Sequence, residues 1–306
     1  MEKSLDQFIG EHDRGLYLPI LFSLSMRLEH MVWQEIESDA ALVAFALRNG
    51  ITAFNTNGVI NWFDTWMEAE ALGLNLSRDK NGQVLSVNGQ INRDVDPEQF
   101  VKNGQVSIAV DVAKRLSSEL AERSVVFGYL TGGSTMAEKC FPQDLKQKLF
   151  AKDQPQDISD DDKGLIDLVA RCSLQMAREY CESGATALLL VEEIEPSKVI
   201  LDAYEPLFNL ANYYSIPVLS LHREPPSKST AAVLEKFGCF AMLNEKNDAE
   251  EGNVVLSESI FLSADGSDAE LNNIVSNQNR LITTYWDLPF NSKLERVAEI
   301  GRTMTN

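Results

Sequence analysis

One histidine of this chain stands where a buried strand is predicted to end. The segment IPVLSLHREPP (216–226) opens as an apolar run of strand character, reaches His222, and passes through Glu224 into two prolines. The whole sequence has only three histidines. An imidazole close to a carboxylate can exchange protons with a substrate or hold a metal ion. His222 and Glu224 are therefore candidates for catalysis and for metal binding.

Two adjacent carboxylates end another predicted strand. ATALLLVEE (185–193) is a continuous apolar run, typical of a strand buried on both faces, and it ends in Glu192 and Glu193. Neighbouring side chains on an extended chain point to opposite faces, so at most one of the two faces a site directly. A carboxyl in a partly apolar pocket has a raised pKa and can act as an acid or a base. The alternative interpretation is a solvated strand end.

Composition narrows the class of protein. The 306 residues carry a formal charge of −19, from 46 acidic and 27 basic residues, and no basic stripe, which argues against a nucleic-acid partner. No apolar run approaches the ~20 residues of a membrane span. The opening MEKSLDQFIGEHDRG lacks the apolar region of a signal peptide. We expect a cytoplasmic protein with an acidic surface, no membrane contact and no disulfides.

Strands and helices alternate through the second half of the chain. Predicted strands cover 124–130, 185–193, 217–222, 239–243 and 281–285, and predicted helices cover 163–184, 197–214, 228–237, 268–279 and 292–303. This alternation indicates a parallel sheet with helical crossovers. We predict an α/β fold, a single (β/α)8 TIM barrel over 1–306, with an irregular N-terminal segment at 1–60 and a hairpin excursion at 75–106. An open, doubly wound sheet is the alternative.

A barrel would bring the residues that follow its strands to one mouth. Tyr129 and Thr131 stand at the end of one predicted strand, in front of the glycine-rich turn TGGST (131–135). That turn lacks the lysine of a nucleotide-binding loop, so a tight strand-to-helix connection is the better interpretation. We expect Tyr129 and Thr131 to contact substrate beside Glu193 and His222.

Four segments carry a resemblance to a known family. They are FDTWMEAEALGL (63–74), VFGYLTGGSTMAEKCF (126–141), YCESGATALLLVEE (180–193) and LITTYWDLPFNSKLERVAEI (281–300). In order and spacing they resemble the uroporphyrinogen decarboxylase superfamily. That family includes the decarboxylase of haem synthesis, which acts on a tetrapyrrole, and the zinc-dependent methyltransferases that serve cobalamin and corrinoid proteins.

The methyltransferase branch implies a zinc site that this chain has altered. The family holds zinc with a His-x-Cys pair and a later cysteine; His222 matches the histidine, but Glu224 and Trp286 stand at the cysteine positions. A harder site of His222, Glu224 and either Glu192 or Glu193 would replace the thiolates. Under the alternative, His222 is a satisfied polar residue and Glu224 pairs locally.

The decarboxylase branch is altered as well. Leu16 replaces an arginine that grips substrate carboxylates in the family, Lys139 stands near the family's tyrosine, and Glu193 stands at a serine position. Asp64 matches the substrate-contacting aspartate. The missing arginine at position 16 and the acid at position 193 disfavour a substrate with many carboxylates.

The resemblance favours a small-molecule enzyme of the methyl-transfer type. Its predicted catalytic residues are His222, Glu224, Asp64 and Glu193, and its predicted substrate-binding residues are Tyr129, Thr131, Lys139 and Trp286. The resemblance implies zinc as the cofactor if the altered site still holds a metal, a corrinoid protein as the partner, and a homodimer as the assembly. The alternatives are a decarboxylase of a porphyrinogen or another carboxylate, and a non-catalytic relative that binds a ligand or partner.

Overall fold

Eight parallel strands form the centre of the molecule. The computed structural model describes residues 4–12, 15–120, 123–150, 157–244, 253–256, 260–261, 271, 274 and 281–305. The central strands are β1 (Leu16–Tyr17), β2 (Gly58–Ile60), β5 (Val125–Thr131), β6 (Ala187–Glu192), β7 (Val218–His222), β8 (Ala241–Asn244), β9 (Asn253–Leu256) and β10 (Leu281–Thr284). Strands β3 (Asn75–Arg78) and β4 (Val84–Asn88) form a separate antiparallel hairpin.

The strand order is that of a (β/α)8 barrel, which confirms the predicted fold. Strands β2, β5, β6, β7 and β8 form one hydrogen-bonded sheet in that order, and β9, β10 and β1 form another. Between the two sheets, the amide of Asn57 donates to the carbonyl of Tyr17 over 2.9 Å, and the amide of Tyr17 donates to Oδ1 of Asn57 over 2.7 Å. On the other side, β8 lies in contact with β9.

Helices cover the outside and the ends of the strands. They are α1 (Leu5–Gly10), α2 (Phe22–Leu28), α3 (Trp33–Ile36), α4 (Ala40–Phe54), α5 (Met67–Ala71), α6 (Pro97–Phe100), α7 (Gly104–Leu120), α8 (Gly133–Cys140), α9 (Gln143–Leu149), α10 (Asp160–Glu182), α11 (Lys198–Tyr213), α12 (Lys228–Lys236) and α13 (Leu294–Thr305). Ser159 caps α10 by accepting from the amide of Asp162. No helix of the described residues is long and apolar enough to span a membrane.

The N-terminal segment differs from its sequence prediction. LYLPILFSL is predicted as an early strand, but only Leu16–Tyr17 pairs with β10, and a helix begins at Phe22. Residues 51–54, predicted as the start of the next strand, complete α4, which ends where Asn55 adopts a left-handed φ of 49°. Short apolar runs fit a buried helix as well as a strand, and here packing decides. The predicted helix at 268–279 lies mostly outside the described residues.

Strand alternation sorts the side chains at the sheet into two faces. A Cβ on Gly128 would lie 2.7 Å from the ring of Tyr180 on α10, so this position faces the outer helices. Tyr129 and Thr131 therefore face the inside of the barrel. Gly128 is aligned with Leu188 on β6, so Glu192, four residues further along β6, also points outward. His222 on β7 is the aligned partner of Glu192 and points to the same side.

The β3–β4 hairpin lies beside the C-terminal ends of the strands. Its turn packs on α3, where the amide of Trp33 donates to the carbonyl of Lys80 over 3.0 Å. Gly82 has a φ of +86°, and a Cβ there would lie 2.2 Å from the indole of Trp33. A glycine is thus required for the close contact between the hairpin and this indole.

Candidate active site

Two adjoining cavities open beside the ends of β1 and β2. Their volumes are about 300 Å³ and 380 Å³, and they adjoin because six residues line both, namely Ser23, Phe63, Asp64, Arg78, Gly82 and Gln83. These residues come from the connections after β1 and β2 and from the β3–β4 hairpin. The C-terminal mouth is where barrel enzymes place their active sites. We call these two spaces the mouth cavities.

Asp64 is held at the mouth by an arginine from the hairpin. Its Oδ2 lies 2.6 Å from Nη2 of Arg78, and its Oδ1 accepts from the amide of Trp66 over 3.0 Å. Arg78 also contacts Glu70 over 3.3 Å and stacks over the ring of Trp33 at 4.6 Å. Sequence reasoning missed Arg78, because nothing in the hairpin sequence says that its tip returns to the mouth.

Glu193 forms the centre of a second polar group. Its carboxylate accepts from the hydroxyl of Thr65 over 2.5 Å and from Nζ of Lys139 over 3.1 Å. Lys139 stacks on the ring of Trp66 at 4.1 Å. Burial lowers the pKa of Lys139, and the charge of Glu193 opposes that shift. A carboxylate beside an ammonium of lowered pKa is suited to proton exchange.

Glu68 is a buried carboxyl that sequence analysis did not find. It accepts from both the amide and the hydroxyl of Thr131, and that hydroxyl lies 3.2 Å from the hydroxyl of Tyr129. Burial raises the pKa of Glu68 to about 7, against the lowering effect of the bonds from Thr131. The signal in the sequence is spacing, since Asp64 and Glu68 are four residues apart at a helix start.

Aromatic side chains line the space between these polar groups. The ring of Phe63 lies 5.4 Å from that of Tyr129 and 5.0 Å from that of Trp286. Arg223 lies over the ring of Trp286 at 5.8 Å, and its carbonyl accepts from the hydroxyl of Tyr285. The mouth thus combines an apolar wall with ionised groups, as small-molecule sites commonly do.

Glu192 lies on the other side of the strand from Glu193. Its oxygens accept from the amides of Ser134 and Thr135 and from the hydroxyl of Thr135, at the N-terminus of α8. Burial raises its pKa to about 7, and the bonds from Thr135 and Ser134 act in the opposite direction. Glu192 therefore stabilises the start of α8 and does not face the mouth.

His222 and Glu224 are also placed away from the mouth cavities. Nε2 of His222 lies 2.8 Å from the hydroxyl of Ser220, and burial lowers the pKa of His222 to about 4. Glu224 is exposed. Among the described residues, no three His, Cys, Asp or Glu side chains are grouped to hold a metal ion. The set of His222, Glu224 and Glu192 does not fit a zinc ion in this arrangement, and zinc stays a prediction.

The structure thus divides the predicted site residues into two sets. One set surrounds the mouth and consists of Asp64, Tyr129, Thr131, Lys139, Glu193 and Trp286. The other set consists of Glu192, His222 and Glu224, which do not join that group. The residues that sequence reasoning missed, above all Glu68 and Arg78, belong to the first set.

A (β/α)8 barrel with a polar, aromatic-lined mouth defines the structural class. The sequence matches the uroporphyrinogen decarboxylase (URO-D) family over residues 19–204, which is more than half of the chain, and the chain belongs to this family. The matched region includes Asp64 and Glu193 and ends before His222. Comparison with curated protein sequences gives no match.

Solved structures with a similar fold include a methyltransferase from Methanosarcina mazei. The two share 14% sequence identity with a TM-score of 0.75, over 99% of this chain and 98% of the other. The homocysteine methyltransferase MmuM from Escherichia coli, in its apo form, aligns with 10% identity and a TM-score of 0.49, over 98% and 99% of the two chains. The first likeness shows the same overall fold, with nearly the full length of both chains aligned.

Proposed function

We propose that this URO-D superfamily member is a small-molecule enzyme of the methyl-transfer type, with its reaction at the mouth cavities. The observation that carries the proposal is the group of Glu193, Lys139 and Thr65 beside these cavities. The fold shared with a methyltransferase supports the same proposal. Following the family resemblance, the methyl group would be exchanged with a corrinoid, carried by a partner protein.

The proposed chemistry is activation of the methyl acceptor by a carboxylate. A thiol or hydroxyl acceptor loses its proton to Glu193 and forms a bond to the methyl carbon with the freed electron pair. The bond between methyl and donor breaks, and its electrons stay on the donor. Lys139 holds the carboxylate through its Nζ, 3.1 Å away, and can pass the proton onward because burial lowers its pKa. Asp64 and Trp286 orient the substrate.

Decarboxylation is the second candidate, favoured by the cations near the mouth. Arg78, Lys139 and Arg223 all lie there. The two buried cations, however, are already paired, Arg78 with Asp64 and Lys139 with Glu193. A polycarboxylate would have to displace these partners, so we expect no release of CO2 from uroporphyrinogen.

The test is methyl transfer from methylcobalamin to small thiols, followed by the absorbance of the corrinoid. We expect a protein-dependent rate that saturates with the thiol. Metal content is measured on the same sample, with His222→Ala as the control. If the protein contains about one equivalent of zinc and His222→Ala contains none, the acid–base mechanism is wrong and a zinc-dependent mechanism takes its place. No transfer to any thiol, nor to small alcohols assayed in the same way, would contradict methyl transfer and leave a binding role.

A further inference from the structure

Two buried nitrogen donors at one mouth cavity have no acceptor. Nε of Arg78 and Nε1 of Trp33 are buried without a hydrogen-bond partner among the described residues. Both residues line the cavity of about 300 Å³. A buried donor without an acceptor destabilises the folded protein, so folded proteins keep few of them. Two of them on residues that line one cavity therefore need a physical reason.

The two donors are fixed in place by other contacts. The guanidinium of Arg78 is held by Asp64 at 2.6 Å and donates from Nη1 to the carbonyl of Gly82 over 2.9 Å. The same guanidinium lies 4.6 Å from the ring centroid of Trp33, which packs against Gly82. Neither donor can turn to another acceptor without breaking these contacts. Pre-positioned donors of this kind are typical of a binding site.

The charges and walls of this cavity restrict its ligand. Its ionisable lining consists of Asp64, Arg78 and the exposed Lys80, one acid against two bases, although the whole chain carries a charge of −19. The remaining wall includes Phe22, Met26 and Phe63. A ligand that fits would combine one negative, acceptor-bearing group with an apolar or aromatic body.

We propose that the cavity between the β3–β4 hairpin and α3 binds the carboxylate of a small aromatic or apolar monocarboxylate, through Arg78 and Trp33. This inference rests on the proposed function, because it names the substrate class of the same mouth. A carboxylate offers two acceptor oxygens, which match the two donors without partners. The substrate would carry one carboxylate, since Asp64 and Glu70 already offset most of the charge of Arg78.

The test compares benzoate with benzylamine as probes of opposite charge and similar size. Binding is measured by ligand-observed NMR on the full chain without any methyl donor. We expect saturable benzoate binding at least about tenfold tighter than that of benzylamine. Equal affinities, or no saturable benzoate binding, would overturn the proposal. Binding without methyl transfer would reject only the proposed function, and transfer without benzoate binding would reject only this inference.

Three variants identify the donors. Trp33→Phe removes the indole nitrogen and keeps an aromatic ring beneath Arg78; Arg78→Lys keeps a cation for Asp64 and removes the Nε donor. Each is expected to weaken benzoate binding about tenfold or more. Trp62→Phe is the matched control, because Trp62 Nε1 also lacks a partner but Trp62 does not line the cavity. Unchanged binding in Trp33→Phe, or an equal loss in Trp62→Phe, would contradict the assignment.

Discussion

Glu192 and Glu193 are adjacent carboxylates with opposite surroundings. Glu192 is buried on the outer face of the barrel, and its carboxylate accepts from the start of α8. Glu193 is 24% exposed, faces the mouth, and contacts Lys139 and Thr65. Glu192 stabilises the start of α8, and Glu193 is available for chemistry. A perturbed pKa alone therefore does not identify the active site, since the pKa of the structural Glu192 is raised to about 7.

The largest expected effect comes from filling the space that Glu192 occupies. A Cβ on Gly132 would lie 2.1 Å from Cδ of Glu192. Gly132→Ala therefore displaces the carboxylate from α8, and we expect a loss of about 3 kcal/mol in the free energy of unfolding, measured by urea denaturation.

The control for this variant lies in α10. A Cβ on Gly164 meets nothing within 4 Å, and Gly164 lies in a helix, so Gly164→Ala is expected to raise the free energy of unfolding by about 0.5–1 kcal/mol. A Gly132→Ala protein as stable as Gly164→Ala would mean that Glu192 has no structural role at α8.

The next largest effect is a difference in the rate of methyl transfer between variants of the two carboxylates. Glu193→Gln is expected to lower the rate of methyl transfer on the order of 100-fold, with a loss of stability of about 1 kcal/mol. Glu192→Gln keeps one acceptor oxygen for the donors of Ser134 and Thr135 and removes the buried charge, so we expect it to leave the rate of the folded protein nearly unchanged. The measurements are steady-state rates and urea denaturation of both variants at pH 8. A large loss of rate in Glu192→Gln together with an unchanged rate in Glu193→Gln would contradict the roles assigned to the two carboxylates.

The smallest effect is a dependence of stability on pH. The pKa of Glu192 rises from an ordinary 4.5 to about 7, so between these values the folded protein binds more protons than the unfolded chain. Stability then falls as pH rises, by at most about 1.4 kcal/mol per pH unit. The pKa of His222 falls from 6.5 to about 4, which has the opposite sign, because the unfolded chain now binds more protons.

Two variants therefore change this dependence in opposite directions. Glu192→Gln is expected to weaken the fall in stability between pH 5 and 6.5 by at most about 1.4 kcal/mol per pH unit. His222→Asn removes a rise and is expected to steepen the fall over the same range. Urea denaturation at half-unit steps of pH measures both slopes. Parallel curves for the two variants would show that neither group titrates as its burial implies.

Much of the fold could be predicted from the sequence. Long periodic segments gave α10 and α11 to within about three residues of their observed ends. The prediction of an early strand over residues 16–24 was wrong beyond Tyr17, because this short apolar segment fits a strand or a buried helix equally well. The candidate site was predicted in part, since Asp64 was identified through its place in the family pattern and Glu193 through its position at the end of an apolar strand.

An extended chain alternates its side chains, so the sequence alone predicts that Glu192 and Glu193 point in opposite directions. Which of them faces inward depends on the packing of the outer helices, such as α10 with Tyr180 against Gly128, and this packing is known only from the structure. The contacts of the mouth have the same origin. Thr65 meets Glu193 across 128 positions and Glu68 meets Thr131 across 63. No local pattern encodes such pairs, because barrel closure brings distant strand ends together.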